Sequence, residues 1–463
     1  MFDGTERIRR ELMIRLVREF HDGTLEENID KIPVLLRPRH NNPASRCCIY
    51  HDRAVLKYRL LALLGFDFRQ ETDETKPLHE YLKEALASGA RPEYPLSVCG
   101  AGCDGCPPSR IRITENCRGC FSRPCLFSCP KNAITVFEQQ ARIDHSKCIK
   151  CGKCIQACPF NSIIRTKVPC EDACPVGAIH KNEYGVADID FTKCISCGKC
   201  FAHCPFGAIM ERSELLHVMQ AIKEGRKVIA LVAPSAQFQF PGGLGKLFSA
   251  VVKAGFTDVI EVALGAEMTT EHESKEFIER MKKGEKLMTT SCCTAYVELV
   301  KRHVPQLLDK VSTTPSPMRY AGKIAREKYP DGINVFIGPC IAKRYEAFHS
   351  ENIDRVLTFE ELGSMLSGLG IDIMTQEEWP FEHPAASTAR NFAKSCGVTD
   401  AVLKELVGED GEIKLDSKFI NGIDARTAKL LALYAMGKLP GNFLEVMSCE
   451  GGCVGGPCSL ITK

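Results

Sequence analysis

The sequence predicts a multidomain protein of mixed α+β and α/β character, and three observations carry that expectation. Residues 1–95 hold apolar side chains at helical spacing, residues 96–210 are dense in cysteine, and residues 211–463 alternate helical with strand-like runs. The expected organisation is a small helical N-terminal domain, a tandem cysteine-rich region and a larger α/β domain. A chain of 463 residues has room for two to four such units.

In the first region Ile8, Leu12, Met13, Leu16, Val17 and Phe20 recur on one helical face. So do Val55, Leu56, Leu60, Leu63 and Leu64 before Gly65, and Leu78, Tyr81, Leu82, Ala85 and Leu86 before Gly89. Cys47 and Cys48 are adjacent, a spacing that suits neither a shared metal cluster nor a strain-free disulfide; buried structural thiols are expected, with a redox or contact role as the alternative. The net charge of +2 gives no basic footprint for nucleic acid. Met1 to Arg10 lack the apolar core of a signal peptide and no run reaches membrane-spanning length, so a cytoplasmic protein without membrane contact is expected.

Cysteine decides the class. The chain carries 26 of them with no secretion signal, which argues against a disulfide framework. Zinc takes isolated pairs or histidines, whereas Cys148-x2-Cys151-x2-Cys154-x3-Cys158-Pro is the ferredoxin pattern, in which the last cysteine serves the other cluster. It follows Cys117-x2-Cys120-x4-Cys125-x3-Cys129-Pro. One [4Fe–4S] cluster is therefore expected on Cys117, Cys120, Cys125 and Cys158, and a second on Cys129, Cys148, Cys151 and Cys154. The unit recurs as Cys170-x3-Cys174-Pro and Cys194-x2-Cys197-x2-Cys200-x3-Cys204-Pro. Cys174 then joins Cys194, Cys197 and Cys200, leaving Cys170 and Cys204 two ligands short; Cys103 and Cys106 can supply them if the chain folds back. Four accessory clusters are the expectation, three with a vestigial half-site the alternative, and Cys99 is left over.

Beyond residue 210, Ser213 caps a helix to Glu224 and Gly225 ends it; Val228–Val232 is a buried strand running into Ala233, Pro234 and Ser235. Helix Leu244–Lys253, strand Asp258–Val262, helix Glu273–Lys283, strand Lys286–Thr289 and strand Val335–Ile337 follow. Strands alternating with helices place ligands at strand C-terminal ends. Three cysteine segments lie just past such strands: Thr290-Ser-Cys-Cys-Thr-Ala-Tyr296, Gly338-Pro-Cys-Ile-Ala-Lys-Arg-Tyr-Glu346, and Glu445-Val-Met-Ser-Cys-Glu-Gly-Gly-Cys-Val-Gly-Gly-Pro-Cys458. Their glycine, proline and serine let backbone and thiolates crowd a bulky inorganic centre. Glu273, Glu276 and Arg280 fall at i, i+3 and i+7 on one helical face, which by itself reads as a solvated ion pair of little weight.

In order and internal spacing these segments are similar to the three signature loops of iron-only ([FeFe]) hydrogenases, and the ferredoxin-like region upstream fits as well. The resemblance implies a two-lobed α/β catalytic domain over residues 211–463. It implies an H-cluster, a [4Fe–4S] cubane joined through one cysteine to a two-iron unit with CO, cyanide and a bridging dithiolate amine. Cys293, Cys340, Cys449 and Cys453 would be the cubane ligands, with Cys453 the bridge. Lys343 would point at one cyanide, Ala233, Pro234 and Ser235 would pack against the other and the amine, and Met447 would stand beside the cofactor. Cys292 would pass protons, in the order Cys292, Glu276, Ser312, Glu273, with Arg280 near the exit.

The implied activity is reversible interconversion of H2 with protons and electrons, the electrons coming from a ferredoxin or similar redox partner and the cofactor from maturation proteins. A low-turnover hydrogen sensor and a non-catalytic iron–sulfur assembly protein are the alternatives. Thr294 in place of proline, Gly338 in place of methionine and the extra Cys458 depart from the family's better-known members and point to a divergent branch.

Overall fold

The computed structural model describes residues 4–40, 46–71, 73–89, 91, 93–103, 105–406 and 414–461. Val228–Val232 is buried at every position and β-branched at both ends, which suits a strand covered on both faces. It lies inside a four-stranded parallel sheet, flanked by Asp258–Glu261 and by Ile333–Gly338, with Arg355–Thr358 at the far edge. A second parallel sheet has Phe443–Met447 at its centre, between Met288–Thr289 and Ser417–Asn421. The molecule is thus a mixed α/β protein built on two parallel sheets. Cys293, Cys340 and Cys449 all follow within four residues of a strand's C-terminal end, one in the first sheet and two in the second.

The cysteine-rich region is nested. Arg110–Ile113 pairs with Ile163–Thr166 around the hairpin of Ile134–Phe137 and Gln140–Ile143. Leu96–Val98 pairs with Ile209–Glu211 around everything between, including the hairpin of Ile179–Lys181 and Ala187–Ile189. The first unit is therefore an insertion into the second, and the two keep separate apolar cores. This brings Cys103 and Cys106, which precede the first unit, back to the second.

The N-terminal helices share one apolar core with the four-stranded sheet. Gly4–His21 lies along Phe359–Gly368 so closely that a Cβ on Gly368 would meet Val17 Cγ1 at 2.5 Å. Among the described residues no helix is long and apolar enough to cross a membrane.

Two local expectations change. The helix expected from Glu273 starts at Val262 and runs 21 residues to Lys282. Gly265, Thr269 and Thr270 dilute its helical signal: a Cβ on Gly265 would sit 2.2 Å from the Pro317 carbonyl oxygen, and both threonine hydroxyls bond back one turn. Cys47 and Cys48 are exposed, not buried, because they stand where the chain enters helix Ile49–Leu63; Cys47 Sγ lies 3.1 Å from His51 Nδ1.

A fully buried ionic cluster joins these parts. The Arg344 guanidinium donates to Glu361, lies 3.4 Å from Glu211 and 3.5 Å from Glu214, and donates to the Val356 carbonyl at 2.7 Å. Beside it Arg9 donates to both oxygens of Glu360, at 2.7 and 2.8 Å. Burial and the neighbouring Glu361 push the Glu211 carboxyl up to about 7. Arg344→Ala leaves three buried carboxyls without their shared cation and is expected to cost ~3–5 kcal/mol. A thermal midpoint equal to wild type would show that the cluster carries no stability.

Candidate metal centre

Cys293, Cys340, Cys449 and Cys453 line one cavity of about 90 Å³, together with Cys292. Each loop is shaped for this. Cys293 and Cys340 are the N-caps of helices Thr294–His303 and Ile341–Phe348, each placed where the chain turns from a strand end into a helix. The Ser448 amide donates to Cys293 Sγ at 3.4 Å. Gly452 has φ +84°, and a Cβ there would stand 2.6 Å from the Ala393 carbonyl oxygen, so only glycine lets the Cys453 turn pack so closely.

Burial pushes three of these thiols up, Cys340 to about 11, Cys453 to about 12 and Cys449 well above the usual range, so none of the three is a thiolate unless a cation replaces its proton. Among the described residues no three His, Cys, Asp or Glu side chains converge on a single-ion position. The four cysteines line a common void, and thiolate ligands suit an iron–sulfur cluster there. Ser235 and Ser448 line the same cavity, and their buried hydroxyl oxygens have no partner among the described residues. The cavity therefore offers polar groups to a polar occupant. Ala233, Pro234 and Met447 complete this wall.

The other cysteines gather in fours. Cys117, Cys120, Cys125 and Cys158 line one small cavity, Cys129, Cys148, Cys151 and Cys154 a second, and Cys103, Cys106, Cys170 and Cys204 a third. Burial, then neighbouring cysteines with Cys174 among them, push the Cys194, Cys197 and Cys200 thiols up, which places these four side by side. Cys197 also lines the main cavity, so this quartet adjoins it. Cys99 is buried and lines none of these cavities, though Cys103 lies close enough to act on it, and Cys458 lies off the main cavity with its sulfur 3.7 Å from Glu211 Oε2.

Lys343 Nζ donates to Glu346 Oε2 at 2.6 Å and to the Cys292 carbonyl oxygen at 3.2 Å. Glu346 also accepts from the Ser316 and Thr294 hydroxyls, so Thr294 helps hold the carboxylate that orients Lys343. At Gly338 a Cβ would meet the Phe336 ring at 2.7 Å; that ring and Met318 line the cavity wall. The space a larger residue at 338 would take is filled by Phe336.

Glu273, not Glu276, faces Cys292: it is the first charged group acting on that thiol, after burial. Glu273 is fully buried, and neither carboxylate oxygen has a hydrogen-bond partner among the described residues. Burial, then the nearby Glu276 charge, push it up to about 8. Glu276 lies further out, where it accepts from Ser312 Oγ at 2.7 Å, from Arg280, and from Thr313 and Thr314. Burial would raise Glu276, but the Ser312 hydroxyl, the Thr313 amide and Arg280 hold it below the usual range. In space the side chains therefore run from Cys292 to Glu273, then to Ser312, Glu276 and Arg280. Spacing along a helix puts two carboxylates on one face but does not say which is deeper. Glu346, Phe336, Ser448 and Thr313 escaped the sequence reading; only Ser448, next to a cysteine of the tetrad, carried a local signal.

Residues 226–457 match the family model described as iron only hydrogenase large subunit, C-terminal domain; residues 164–215 match an LdpA Fe-S cluster-binding domain and residues 141–164 a 4Fe-4S binding domain. The chain is 28% identical over 399 residues to iron hydrogenase 1 of Clostridium pasteurianum, spanning 72% of this chain and 67% of that protein. It is 32% identical over 372 residues to the periplasmic [Fe] hydrogenase large subunit of Nitratidesulfovibrio vulgaris, spanning 68% and 85%. It is also 25% identical over 258 residues to a probable cytosolic Fe-S cluster assembly factor of Aedes aegypti, spanning 44% and 54%. Fold and cysteine pattern define an iron–sulfur electron-transfer protein, and the chain belongs to the iron-only hydrogenase family.

Because folding penalises ionised Glu273, stability is unaffected below pH about 4.5, falls as pH rises towards about 8 and levels off above it. The loss is a few kcal/mol, at ~1.4 kcal/mol per pH unit. Glu273→Gln is expected to flatten this fall, measured as the difference in thermal midpoint between pH 5 and pH 8 for variant and wild type.

Proposed function

We propose that the chain interconverts H2 with protons and electrons at an H-cluster held by Cys293, Cys340, Cys449 and Cys453. The observation that carries this reading is the buried acid pair Cys292 and Glu273 set against a cavity ringed by four thiols and faced by the Lys343 ammonium. When bound, the H-cluster supplies the redox centre at which the H–H bond is made or broken. The chain's own part is to exclude water, orient and deliver protons. The apolar wall of Ala233, Pro234, Phe336, Met318 and Met447 keeps the site dry. Lys343, fixed by Glu346, brings a cation to an anionic cofactor.

Cys292 holds a proton at Sγ, and burial keeps it there. Glu273, poised near neutral pH, exchanges that proton; the Ser312 hydroxyl, bonded to Glu276, carries it to Glu276 and out past Arg280. Electrons are relayed through four accessory [4Fe–4S] clusters, entering the catalytic domain of residues 211–463 from the quartet that contains Cys197. The tandem region of 96–210 carries them from a ferredoxin-type donor, residues 1–95 form the helical domain, and maturation proteins install the two-iron unit.

The test is hydrogen evolution from reduced methyl viologen by the matured protein, with an infrared spectrum for bound CO and cyanide. Cys292→Ser is expected to lower turnover by ~10²–10⁴-fold with the infrared bands retained. Loss of the bands along with turnover would instead make Cys292 structural. Cys103→Ala/Cys106→Ala is expected to remove about four irons per chain; an unchanged iron count would reduce the accessory clusters to three. The likeness to an assembly factor supports a second reading, a non-catalytic iron–sulfur protein, and matured protein without CO and cyanide bands would favour it.

A further inference from the structure

We propose that the inserted unit, residues 110–167, is the docking face for a small acidic one-electron carrier protein, which passes its electron to the Cys117, Cys120, Cys125 and Cys158 quartet. This rests on the hydrogenase reading for the direction of flow but not for the contact itself. Residues 110–167 hold eleven Lys and Arg against three Asp and Glu, a net +8, while the whole chain is only +2. Residues 168–211, the other part of the cysteine-rich region, hold three Lys against six Asp and Glu. The positive charge is thus confined to the inserted unit. It is not cancelled locally: among the described residues Arg118, Arg123, Lys131, Arg142, Lys150 and Lys153 make no ion pair.

The part of this charge that borders the Cys117, Cys120, Cys125 and Cys158 quartet carries aromatic anchors. Phe121 is 104% exposed and Phe137 is 50% exposed. The two are brought together because the loop of Phe121 abuts the hairpin tip: a Cβ on Gly119 would stand 2.4 Å from the Gln139 carbonyl oxygen, and Arg123 donates to that oxygen at 2.9 Å. The Arg142 guanidinium lies 4.1 Å from the Phe137 ring centroid. Arg118 and Arg123 border the cavity of the cysteine quartet, so a partner seated on the patch stands over that quartet. Exposed aromatics flanked by arginine are the composition of a recognition surface. A net +8 selects an acidic partner, speeds its encounter and repels a second copy of the same face.

The experiment compares two electron donors for hydrogen evolution by the loaded full-length protein: a reduced acidic two-cluster ferredoxin and reduced methyl viologen, a small cation that needs no docking. Arg118→Glu/Arg142→Glu is expected to raise KM for the ferredoxin by about tenfold and to weaken its salt dependence, with the viologen rate and iron content unchanged. Phe121→Ser/Phe137→Ser, which alters no charge, is expected to raise KM while keeping the salt dependence. A ferredoxin KM within twofold of wild type in both variants overturns the proposal, as does a patch that binds single-stranded DNA while ferredoxin kinetics stay unchanged. If viologen itself drives no hydrogen formation, the hydrogenase reading fails separately, and ferredoxin affinity measured against salt decides the docking face on its own.

Discussion

Arg344 is the point at which three stretches of chain are made to agree. It stands four residues after Cys340; Glu211 ends the last strand of the cysteine-rich region and Glu214 follows it, and Glu361 lies on the helix that packs along the N-terminal helix. A fully buried guanidinium is tolerated only where carboxylates meet it with good geometry. Satisfying it therefore fixes the second cysteine loop against the region that brings Cys197 to the main cavity. Arg9 and Glu360 extend the constraint to the first helix, and Cys458 against Glu211 extends it to the chain past Cys453.

The interior of the main cavity follows a consistent logic of burial. Cys340, Cys449 and Cys453 are pushed up and stay protonated without a cation, Glu273 is pushed up beside them, and Lys343 is held by Glu346. The Lys343 ammonium has its partner, whereas the Ser235 and Ser448 hydroxyls on the cavity wall and the Glu273 carboxyl near Cys292 have none among the described residues. That contrast separates the groups that support the fold from those left available to an occupant.

Much of this was legible in the sequence where the signal was local. Ferredoxin spacing assigned the quartets, because a cluster's ligands come from one short loop plus one crossed cysteine. Parallel strands read as apolar runs, and the cysteine segments at their ends named the tetrad. What was not legible depends on contacts far apart in the chain. The pairing of Leu96–Val98 with Ile209–Glu211 has no local signature, so the return of Cys103 and Cys106 looked like an awkward fold-back. The depth of Glu273 relative to Glu276 is set by how helix Val262–Lys282 is rotated, which spacing does not encode. The exposure of Cys47 and Cys48 was misjudged because apolar thiols are usually buried, whereas these sit at a helix entrance.

The nested strands have one more implication. Arg110 pairs with Thr166, so the inserted unit leaves and rejoins the rest of the protein at a single spot. A module attached by two adjoining strands and owning a separate apolar core is removable in principle, like a cartridge: a short bridge in its place would preserve the surrounding pairing of Leu96–Val98 with Ile209–Glu211. Wiring of this kind lets the number of iron–sulfur stations change over evolutionary time by splicing at one seam, without disturbing the two parallel sheets.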